Sequence, residues 1–298
     1  MQGWIKKFIS HLEGRCLSPH TISNYRRDLI KASDFYQQQS ITQWHEITPT
    51  HIRHLIVTLH SKGLNGRSLQ RQLSVLRTFF GYLLKNGEIK NNPATGIKAP
   101  KAAHKLPKVL NTEQTSQLLD KEPTDDLSIR DFAIMELLYS SGLRVAELTQ
   151  LDFEDIDLAD ATVRVTGKGG KIRIVPVGRF AIKAIQSWLV VRSTLIKKDE
   201  TAFFVGRRGV RLTTRAVQLR LKEWGVKQQL SVPLHPHMLR HSFASHLLES
   251  SGQIRAVQEL LGHADLSSTQ IYTHLDFQHL ASVYDKTHPR AKKKKTNS

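Results

Sequence analysis

Four short segments of the sequence set strong polar side chains beside glycines, prolines or helix starts. They are SGLRVAEL (141–148), GKGGKIRIVP (167–176), HPHMLRHSFASHLL (235–248) and LGHADLSSTQIYTHL (261–275). Each segment is a weak signal by itself. An arginine such as Arg144 usually forms a salt bridge to a carboxylate such as Glu147, which lies three residues further along a helix. A lysine on a glycine-rich turn, such as Lys168, is usually solvated.

Together the four segments contain the groups that can break a phosphodiester bond without a metal ion. Arginines bind the non-bridging phosphate oxygens through charge-assisted hydrogen bonds and offset the extra negative charge of the pentavalent transition state. Histidines add hydrogen bonds, a lysine on a hairpin protonates the leaving 5′ oxygen, and a tyrosine hydroxyl attacks phosphorus to give a 3′ phosphotyrosine. This covalent link conserves the bond energy, so rejoining needs no ATP. The sequence also has no GxxxxGK[ST] loop.

In this order and spacing, the four segments resemble the tyrosine recombinase family, which includes the phage integrases. The resemblance covers nearly the whole chain and includes LSPHTISNYRRDL near its start. It implies a site-specific recombinase that cuts and rejoins DNA. The residues that it implies for the pocket are Arg144, Lys168, His237, Arg240 and His263, with Tyr272 as the nucleophile. Glu147 resembles the acidic residue that supports this pocket from behind.

The end of the chain, YTHLDFQHLASVYDKTHPRAK, resembles one branch of the family. Members of this branch resolve chromosome and plasmid dimers at a double-stranded recombination site, during chromosome segregation and cell division. The resemblance implies a heterotetramer with a second, related recombinase and activation by a DNA translocase.

The resemblance also implies that the last amphipathic stretch docks on a neighbouring protomer and couples assembly to the placement of Tyr272. Its apolar residues are Leu275, Phe277, Leu280, Val283 and Tyr284. Packing within its own domain is the alternative for this stretch.

Two alternatives would involve metal ions. His235, His237 and His241 invite a zinc site, but Pro236 and the single cysteine of the chain make a closed tetrahedral site hard to complete. A run of carboxylates would suit a metal-dependent nuclease, although a solvated loop is the commoner use of such a run. Its members are Asp152, Glu154, Asp155, Asp157 and Asp160. We therefore expect neither a metal ion nor another cofactor.

Other functions remain compatible with the same residues. A phage or mobile-element integrase, or a type IB topoisomerase, would use the same pocket chemistry. A DNA-binding structural protein that kept the fold without the activity is the alternative from another class. The complete set of pocket residues argues against this last possibility.

The composition favours a nucleic-acid partner. The net charge is +18, and Lys and Arg outnumber Asp and Glu in each of the segments 1–95, 96–108 and 109–298. A basic surface binds a polyanion because neutralised phosphates release counterions, although charge alone leaves a ribosome-associated protein open. No apolar run approaches the roughly 20 residues of a membrane span, and the lone Cys16 cannot pair within the chain. We expect a soluble, cytoplasmic protein without membrane insertion.

Helices are expected to build an amino-terminal DNA-binding domain over residues 1–95. Apolar residues recur there at three- and four-residue steps, after Ser18-Pro19, after Thr48-Pro49 and up to Asn86-Gly87, with a shorter helix around 5–12. The third of these helices carries arginines on its opposite face, and we predict DNA contacts for Arg67, Arg71 and Arg77. Ordinary solvation is the alternative for these arginines.

A basic linker and a catalytic domain follow. Residues 96–108 lose helical periodicity and gather prolines and lysines, and Lys98, Lys101 and Lys105 are predicted to follow the phosphate backbone. Residues 109–298 are predicted to be a catalytic domain that is mostly helical, with helices expected over 213–224, 236–249 and 254–261. The resemblance implies that their last part is a tail for subunit exchange. A hairpin of 162–166 and 171–176 carries Lys168 at its tip.

The expected fold is mainly α with a small β-sheet (α+β). The resemblance implies a helical core-binding domain of SAM-like type and a tyrosine recombinase catalytic domain, which form a C-shaped clamp around DNA.

Overall fold

The computed structural model describes residues 1–15, 17–100, 109–167, 170–230 and 232–251. The chain divides into two compact units, Met1–Lys105 and Leu106–Ser298. Within the described residues the protein is mostly helical with one three-stranded antiparallel sheet, which confirms the predicted fold class. Each unit has its own hydrophobic core.

In the described part of the first unit there are four α-helices and one 3₁₀ turn. They are α1 (Gln2–Gly14), α2 (Pro19–Gln37), the 3₁₀ turn Trp44–Glu46, α3 (Pro49–Ser61) and α4 (Gly66–Lys85). The two predicted helix starts are confirmed: Oγ of Ser18 accepts a hydrogen bond from the Thr21 amide at 3.2 Å, and Oγ1 of Thr48 accepts one from the His51 amide at 3.4 Å. These caps satisfy amide groups that have no partner within the helix.

Aromatic rings fill the core of the first unit. Trp44 lies on the 3₁₀ turn, and its ring centroid is 4.7 Å from that of Phe79 in an edge-to-face arrangement. Its indole N–H donates to the carbonyl of Met1 at 3.0 Å, which joins the start of α1 to the segment between α2 and α3. Both rings are almost completely buried, so this pair holds three separate segments of the unit together.

The chain that follows α4 packs back onto this unit. Arg77 donates to the carbonyl of Ala94 at 3.3 Å and also to the carbonyl of Ile97, while Asn92 Nδ2 donates to the carbonyl of Arg77 at 2.9 Å. Ala94 and Ile97 are buried in the core of the unit. The beginning of the segment predicted as a linker, including Ile97, therefore belongs to the packing of the first unit.

Six α-helices form most of the described part of the second unit. They are α5 (Thr112–Leu119), α6 (Asp126–Ser141), α7 (Val145–Gln150), α8 (Arg179–Leu195), α9 (Thr214–Lys227) and α10 (Pro236–Ser251). Two of them match the helices predicted over 213–224 and 236–249; the helix predicted over 254–261 lies outside the described residues. Helix α6 is buried along most of its length and packs against α8 and α10. None of the helices in the described parts of either unit is both long and apolar enough to cross a bilayer.

The sheet of the second unit contains the predicted hairpin. Its strands are β1 (Ile156–Asp157), β2 (Thr162–Thr166) and β3 (Ile172–Pro176), in the order β1-β2-β3. Strands β2 and β3 pair antiparallel, with Val163 opposite Val175 and Val165 opposite Arg173, which confirms the hairpin. The buried valines face the core, whereas Ile172 is exposed. Arg173 therefore lies on the inward face of the hairpin, because directly opposed residues share a face.

A buried histidine joins α6 to α10. The hydroxyl of Tyr139 and Nδ1 of His246 are 2.9 Å apart, and His246 is buried. Burial lowers the pKa of His246 below its usual value. The unfolded chain therefore binds the proton more readily, and the free energy of unfolding decreases as the pH falls below about 6.5, by up to about 1.4 kcal/mol per pH unit until the folded-state pKa is reached.

We expect the Tm of the protein to fall between about pH 7 and pH 5, and to fall less steeply in the His246→Gln variant. Glutamine keeps a polar partner for Tyr139 but does not titrate. Thermal melts over this range measure the effect. Part of the dependence of Tm on pH should remain in the variant, because the pKa values of His235 and His241 are also lowered. If Tm changed with pH identically in the variant and in wild type, His246 would not be the group responsible.

Candidate active site

A glycine turn places Arg144 at the start of α7. Gly142 ends α6 in the left-handed conformation, at φ 58°, and its amide donates to the carbonyl of Leu138 at 3.1 Å. This backbone conformation favours glycine because it has no Cβ. The next residue, Leu143, is completely buried, and Arg144 then occupies the position just before the first residue of α7. The sequence Ser-Gly-Leu-Arg thus turns the chain sharply and sets the arginine at the corner.

Glu147 holds Arg144 in two ways. The backbone amide of Arg144 donates to Oε2 of Glu147 at 2.8 Å, and Nη1 of Arg144 donates to Oε1 at 2.9 Å. The salt bridge that the spacing of these two residues suggested is therefore present. Glu147 is only 7% exposed, whereas the side chain of Arg144 is 41% exposed. The carboxylate is thus a fixed support, and the arginine remains accessible.

A second arginine binds the same carboxylate from the hairpin. Arg173 on β3 donates from Nη1 to Oε1 of Glu147 at 3.0 Å and from Nη2 to Oε2 at 2.9 Å. Burial alone raises the pKa of Glu147, but hydrogen bonds from Arg173 and Arg144 outweigh it and lower the pKa below its usual value. Glu147 therefore stays ionised at neutral pH. The sequence motifs did not predict this role of Arg173. The only signal for it is its position as a basic residue inside an alternating strand.

Arg240 joins this cluster from α10. It is 7% exposed and donates from Nη1 to the carbonyl of Gly142, which is 98 positions earlier in the chain. Burial, together with the positive charges of Arg144 and Arg173, lowers the pKa of Arg240 to about 10, and the charge of Glu147 opposes them. Two guanidinium groups therefore bind Glu147 directly, and the charges of all three side chains act on Arg240. Such a cluster of arginines suits an anion with several oxygens, such as a phosphodiester.

Histidines at the start of α10 add further polar groups. Nδ1 of His235 accepts from the amide of Met238 at 3.2 Å, so His235 caps the helix. His237 lies exposed in the first turn, three residues before Arg240. Burial and the neighbouring His237 lower the pKa values of His235 and His241. In the described ranges no group of three or more His, Cys, Asp or Glu side chains is arranged to hold a metal ion.

Carboxylates of the acidic run before the hairpin bind arginines, a hydroxyl and backbone amides of the second unit. Asp152 accepts hydrogen bonds from Arg211 and, at 2.8 Å, from the hydroxyl of Thr201. Asp155 accepts from Nε of Arg164 at 2.9 Å. Asp157, on β1, accepts from two backbone amides of the following turn. Several of the carboxylates that suggested a nuclease thus shape a turn and hold neighbouring arginines.

The hairpin turn begins beside Glu147. The amide of Gly167 donates to the carbonyl of Lys171 at 2.7 Å and closes the end of the hairpin. A Cβ atom built on Gly167 would lie 3.5 Å from Nη1 of Arg173 and 4.0 Å from Oε1 of Glu147. Lys168, the next residue, lies outside the described residues. The described end of the hairpin, at Gly167, is therefore close to Arg173 and Glu147.

Several other predicted residues also lie outside the described residues. They are Cys16, Lys101, Lys105, His263, Tyr272 and the apolar residues of the last amphipathic stretch. Of the six residues predicted for the pocket, the structure describes Arg144, His237 and Arg240. It brings Arg144 and Arg240 together around Glu147, with His237 on the same helix as Arg240.

The basic residues of the first unit that are predicted to contact DNA differ in their surroundings: two are exposed, and two bind other groups of the protein. Arg67 and Lys98 are exposed. Arg71 binds the buried carboxylate of Asp28 through Nε at 2.9 Å and Nη2 at 3.4 Å, and Arg77 binds the two carbonyls described above. Arg71 and Arg77 therefore have a structural role that their spacing did not predict, and their contact with DNA stays a prediction.

Comparison with known families covers both units. The model of the phage integrase family matches residues 108–279, and the model of the phage integrase N-terminal SAM-like domain matches residues 5–87. The chain belongs to the tyrosine recombinase family. As the sequence predicted, it is an enzyme, a site-specific tyrosine recombinase.

Curated relatives of this recombinase carry the name tyrosine recombinase XerC. The protein from Haemophilus ducreyi is 52% identical over 94% of this chain and 91% of its own length. The protein from Alcanivorax borkumensis is 52% identical over 98% of this chain and 95% of its own. The protein from Pseudomonas aeruginosa is 51% identical over 99% of this chain and 97% of its own length. The recombinase is thus most like XerC, which agrees with the resemblance of its carboxyl-terminal segment.

Solved structures of recombinases share the fold of this chain. XerH site-specific recombinase, bound to a palindromic difH substrate in a post-cleavage complex, is 25% identical, with a TM-score of 0.72 over 94% of this chain and 83% of that chain. The Tn1549 transposon integrase, in complex with a circular intermediate DNA, is 17% identical. Its TM-score is 0.74, over 94% of this chain and 98% of that chain. The second likeness shows the shared fold alone.

Proposed function

We propose that this recombinase cuts one DNA strand with Tyr272 and rejoins it to a different 5′ hydroxyl. In this proposal Arg144 and Arg240 bind the scissile phosphate, and Glu147 holds Arg144 in place. His237 and His263 add hydrogen bonds to the phosphate oxygens, and Lys168 protonates the leaving group.

One observation carries the proposal: the guanidinium groups of Arg144 and Arg240 come from distant segments and share one electropositive cluster. Guanidinium groups bind phosphate oxygens through charge-assisted hydrogen bonds, and Glu147 orients Arg144 for such a contact. A phosphodiester that docks on the cluster meets the positive charges of both Arg144 and Arg240. The pentavalent transition state carries one charge more, so the cluster binds it more tightly than the ground state.

The proposed reaction has two balanced steps. The phenol oxygen of Tyr272 attacks phosphorus and releases its proton to solvent, the bond from phosphorus to the 5′ oxygen breaks, and that oxygen takes a proton from Lys168. The product is a 3′ phosphotyrosine and a free 5′ hydroxyl. In the second step a 5′ hydroxyl from the partner strand attacks phosphorus and gives its proton to Lys168, the bond from phosphorus to the Tyr272 oxygen breaks, and that oxygen takes a proton from solvent. The number of phosphodiester bonds is unchanged, so neither step consumes a nucleotide.

The similarity to XerC supports a specific cellular role. We propose that the recombinase resolves chromosome dimers at a dedicated double-stranded site, in a heterotetramer with a XerD-like recombinase and under activation by an FtsK-like translocase. The cytoplasm is the compartment where this reaction would occur.

For the domain arrangement we propose a DNA-binding domain over 1–95, a basic linker over 96–108 and a catalytic domain over 109–298, which close around the duplex as a C-shaped clamp. The exposed Arg67 and Lys98 are suited to phosphate contacts, as are Lys101 and Lys105 by their charge.

A covalent adduct tests the proposed chemistry. We expect the wild-type protein to form an adduct with a nicked duplex of its recombination site, in EDTA and without ATP, because the nick lets the cleaved end diffuse away. Denaturing gels detect the adduct, and mass spectrometry of its peptides should place the DNA on Tyr272 through a 3′ phosphate. An adduct that requires a divalent metal, or one joined through a 5′ phosphate, would overturn the mechanism.

A further inference from the structure

A buried carboxylate holds an exposed arginine on the surface of the first unit. Asp28, on α2, is 2% exposed, and it accepts hydrogen bonds from Nε of Arg71 at 2.9 Å and from Nη2 of Arg71 at 3.4 Å. The side chain of Arg71, on α4, is 48% exposed. Two parallel bonds of this kind set the orientation of the guanidinium as well as its distance. Arg71 is therefore held along one edge and remains accessible to a ligand.

The contact with Asp28 leaves other donors of Arg71 unused. A guanidinium also donates from Nη1 and from the second hydrogen of Nη2, and the bonds to Asp28 need neither of these groups. Arg27, on α2, approaches the same carboxylate with its Nε at 3.7 Å, while its Nη2 donates to Asn24 at 2.7 Å. Arg71 thus makes the closer contact with Asp28, and the Nη1–Nη2 end of its guanidinium is available for two further bonds.

The outer face of α4 carries hydrogen-bonding side chains. Five exposed polar residues recur there at three- and four-residue steps and form one stripe: Arg67, Gln70, Arg71, Ser74 and Thr78. The buried residues of α4 lie on the other side of the helix, and its sequence contains neither Asp nor Glu. An α-helix fits the major groove of B-DNA, where the base edges present hydrogen-bond acceptors and donors. The stripe therefore suits this groove in both its charge and its chemistry.

We propose that Arg71 determines sequence specificity: it reads a guanine in the major groove of the recombination site, and Asp28 is the positioning residue that orients it. The inference rests on the proposed function, in which residues 1–95 bind DNA. Arginine recognises guanine through two parallel hydrogen bonds to O6 and N7. The Nη1–Nη2 end of Arg71 supplies both bonds while its Nε edge stays on Asp28.

Two properties favour a base over a phosphate as the ligand of Arg71. The carboxylate of Asp28 offsets part of the positive charge, which weakens the attraction to a phosphate more than hydrogen bonding to a neutral base. The held guanidinium also loses less side-chain entropy on binding than a free one does. Arg67, one turn earlier in the stripe, is exposed and suits the phosphate contact proposed above.

Selection from a pool of duplexes with a randomised central segment tests the inference. The full-length protein binds the pool at near-physiological salt, because low salt favours sequence-independent binding, and the bound duplexes are sequenced. We expect wild type to prefer guanine at the position that Arg71 reads. Arg71→Gln should abolish this preference, which is roughly 5- to 150-fold for a bidentate arginine–guanine pair, and should keep the preferences at other positions. Titrations of a selected duplex and its single-base variants measure the same ratios.

Arg67→Gln is the matched control, because it removes an exposed arginine from the same stripe. It should weaken binding to all sequences alike, lower the slope of log affinity against log salt by about one, and keep the guanine preference. If Arg71→Gln behaves in this way instead, Arg71 binds a phosphate and the inference fails. An unchanged guanine preference in Arg71→Gln also refutes it, as does the loss of the same preference in Arg67→Gln.

A variant of Asp28 tests the positioning role. Asp28→Asn should lower the guanine preference at the same position as Arg71→Gln does. Its affinity for unselected DNA should be retained, because the protein becomes more positive by one charge. A purely structural role would lower Tm and weaken binding to all sequences without changing the preference for guanine. A wild-type guanine preference in Asp28→Asn would therefore overturn the role of Asp28.

A double variant guards against loss of the fold. Arg71→Gln leaves the carboxylate of Asp28 buried without this arginine, which is destabilising. Combining Asp28→Asn with Arg71→Gln removes both charges, and thermal melts compare its Tm with that of wild type. We expect the double variant to be folded and to lack the guanine preference, as Arg71→Gln does. A wild-type guanine preference in the double variant would mean that instability caused the effect of Arg71→Gln, and the inference would fail.

The adduct with Tyr272 judges the proposed chemistry separately. A wild-type protein that selects a sequence but forms no adduct would overturn the chemistry and leave the inference to the base preferences of the variants. A wild-type protein that forms the adduct but selects no guanine would overturn the inference alone. The two failures are therefore distinguishable.

Discussion

Replacing Arg240 by glutamine should slow adduct formation by about 10²- to 10³-fold, the usual cost of removing one hydrogen-bond donor that stabilises a developing charge. The guanidinium of Arg240 is buried, already anchored to the carbonyl of Gly142, and close enough to Arg144 for their charges to interact. The guanidinium of Arg240 therefore does not have to move when the phosphate gains negative charge in the transition state. Glutamine keeps a hydrogen-bond donor but removes the positive charge, so the loss should fall on the chemical step rather than on DNA binding.

Single-turnover cleavage of a nicked duplex measures this effect, and a gel shift measures binding. The matched control is Arg192→Gln, because Arg192 is another buried arginine that donates to backbone carbonyls, those of Ala202 and Phe203. We expect this control to lower Tm but to keep the wild-type cleavage rate below its melting temperature.

A pKa of about 10 for Arg240 also implies that the cleavage rate of the wild type does not depend on the ionisation of this group at neutral pH and declines only near that value. Equal cleavage rates for Arg240→Gln and wild type would exclude Arg240 from the pocket.

The Tyr272→Phe variant should form no detectable adduct and should bind DNA as tightly as wild type. Phenylalanine differs from tyrosine by a single hydroxyl, so packing is nearly conserved while the nucleophile is lost. The expected effect is larger than that of Arg240→Gln, because without the nucleophile the covalent intermediate does not form at all. Arg144 and Arg240 are unchanged in this variant and still bind the phosphate, so the affinity for DNA is retained.

Adduct formation and DNA affinity are compared in the same preparation. Tyr36→Phe is the control, because it makes the same change in the core of the first unit, where the hydroxyl is buried without a hydrogen-bond partner among the described residues, and it should leave the adduct yield unaltered. An adduct that persists in Tyr272→Phe would assign the nucleophile to another residue and would overturn the proposed mechanism.

Local signals in the sequence were sufficient for most of the secondary structure. A serine or threonine before proline predicted the starts of α2 and α3, and the caps of Ser18 and Thr48 are present. The alternating strands around a glycine turn predicted the hairpin, which the register of β2 and β3 confirms. Such signals work because caps and turns depend on residues within about four positions of each other. The short strand β1 was missed because two residues in an acidic turn carry no alternation.

The sequence by itself determined the family, the fold class and the pairing of Arg144 with Glu147, since each depends on motifs or on spacing within one helix turn. The tertiary structure alone decided that Arg173 faces inward to share Glu147 and that Arg240 anchors on Gly142. It also decided that Arg71 and Arg77 bind Asp28 and the chain after α4. The physical reason is that an alternating strand or a helix face does not specify which distant group will satisfy a charged side chain; that choice is made when separate segments pack and exclude water.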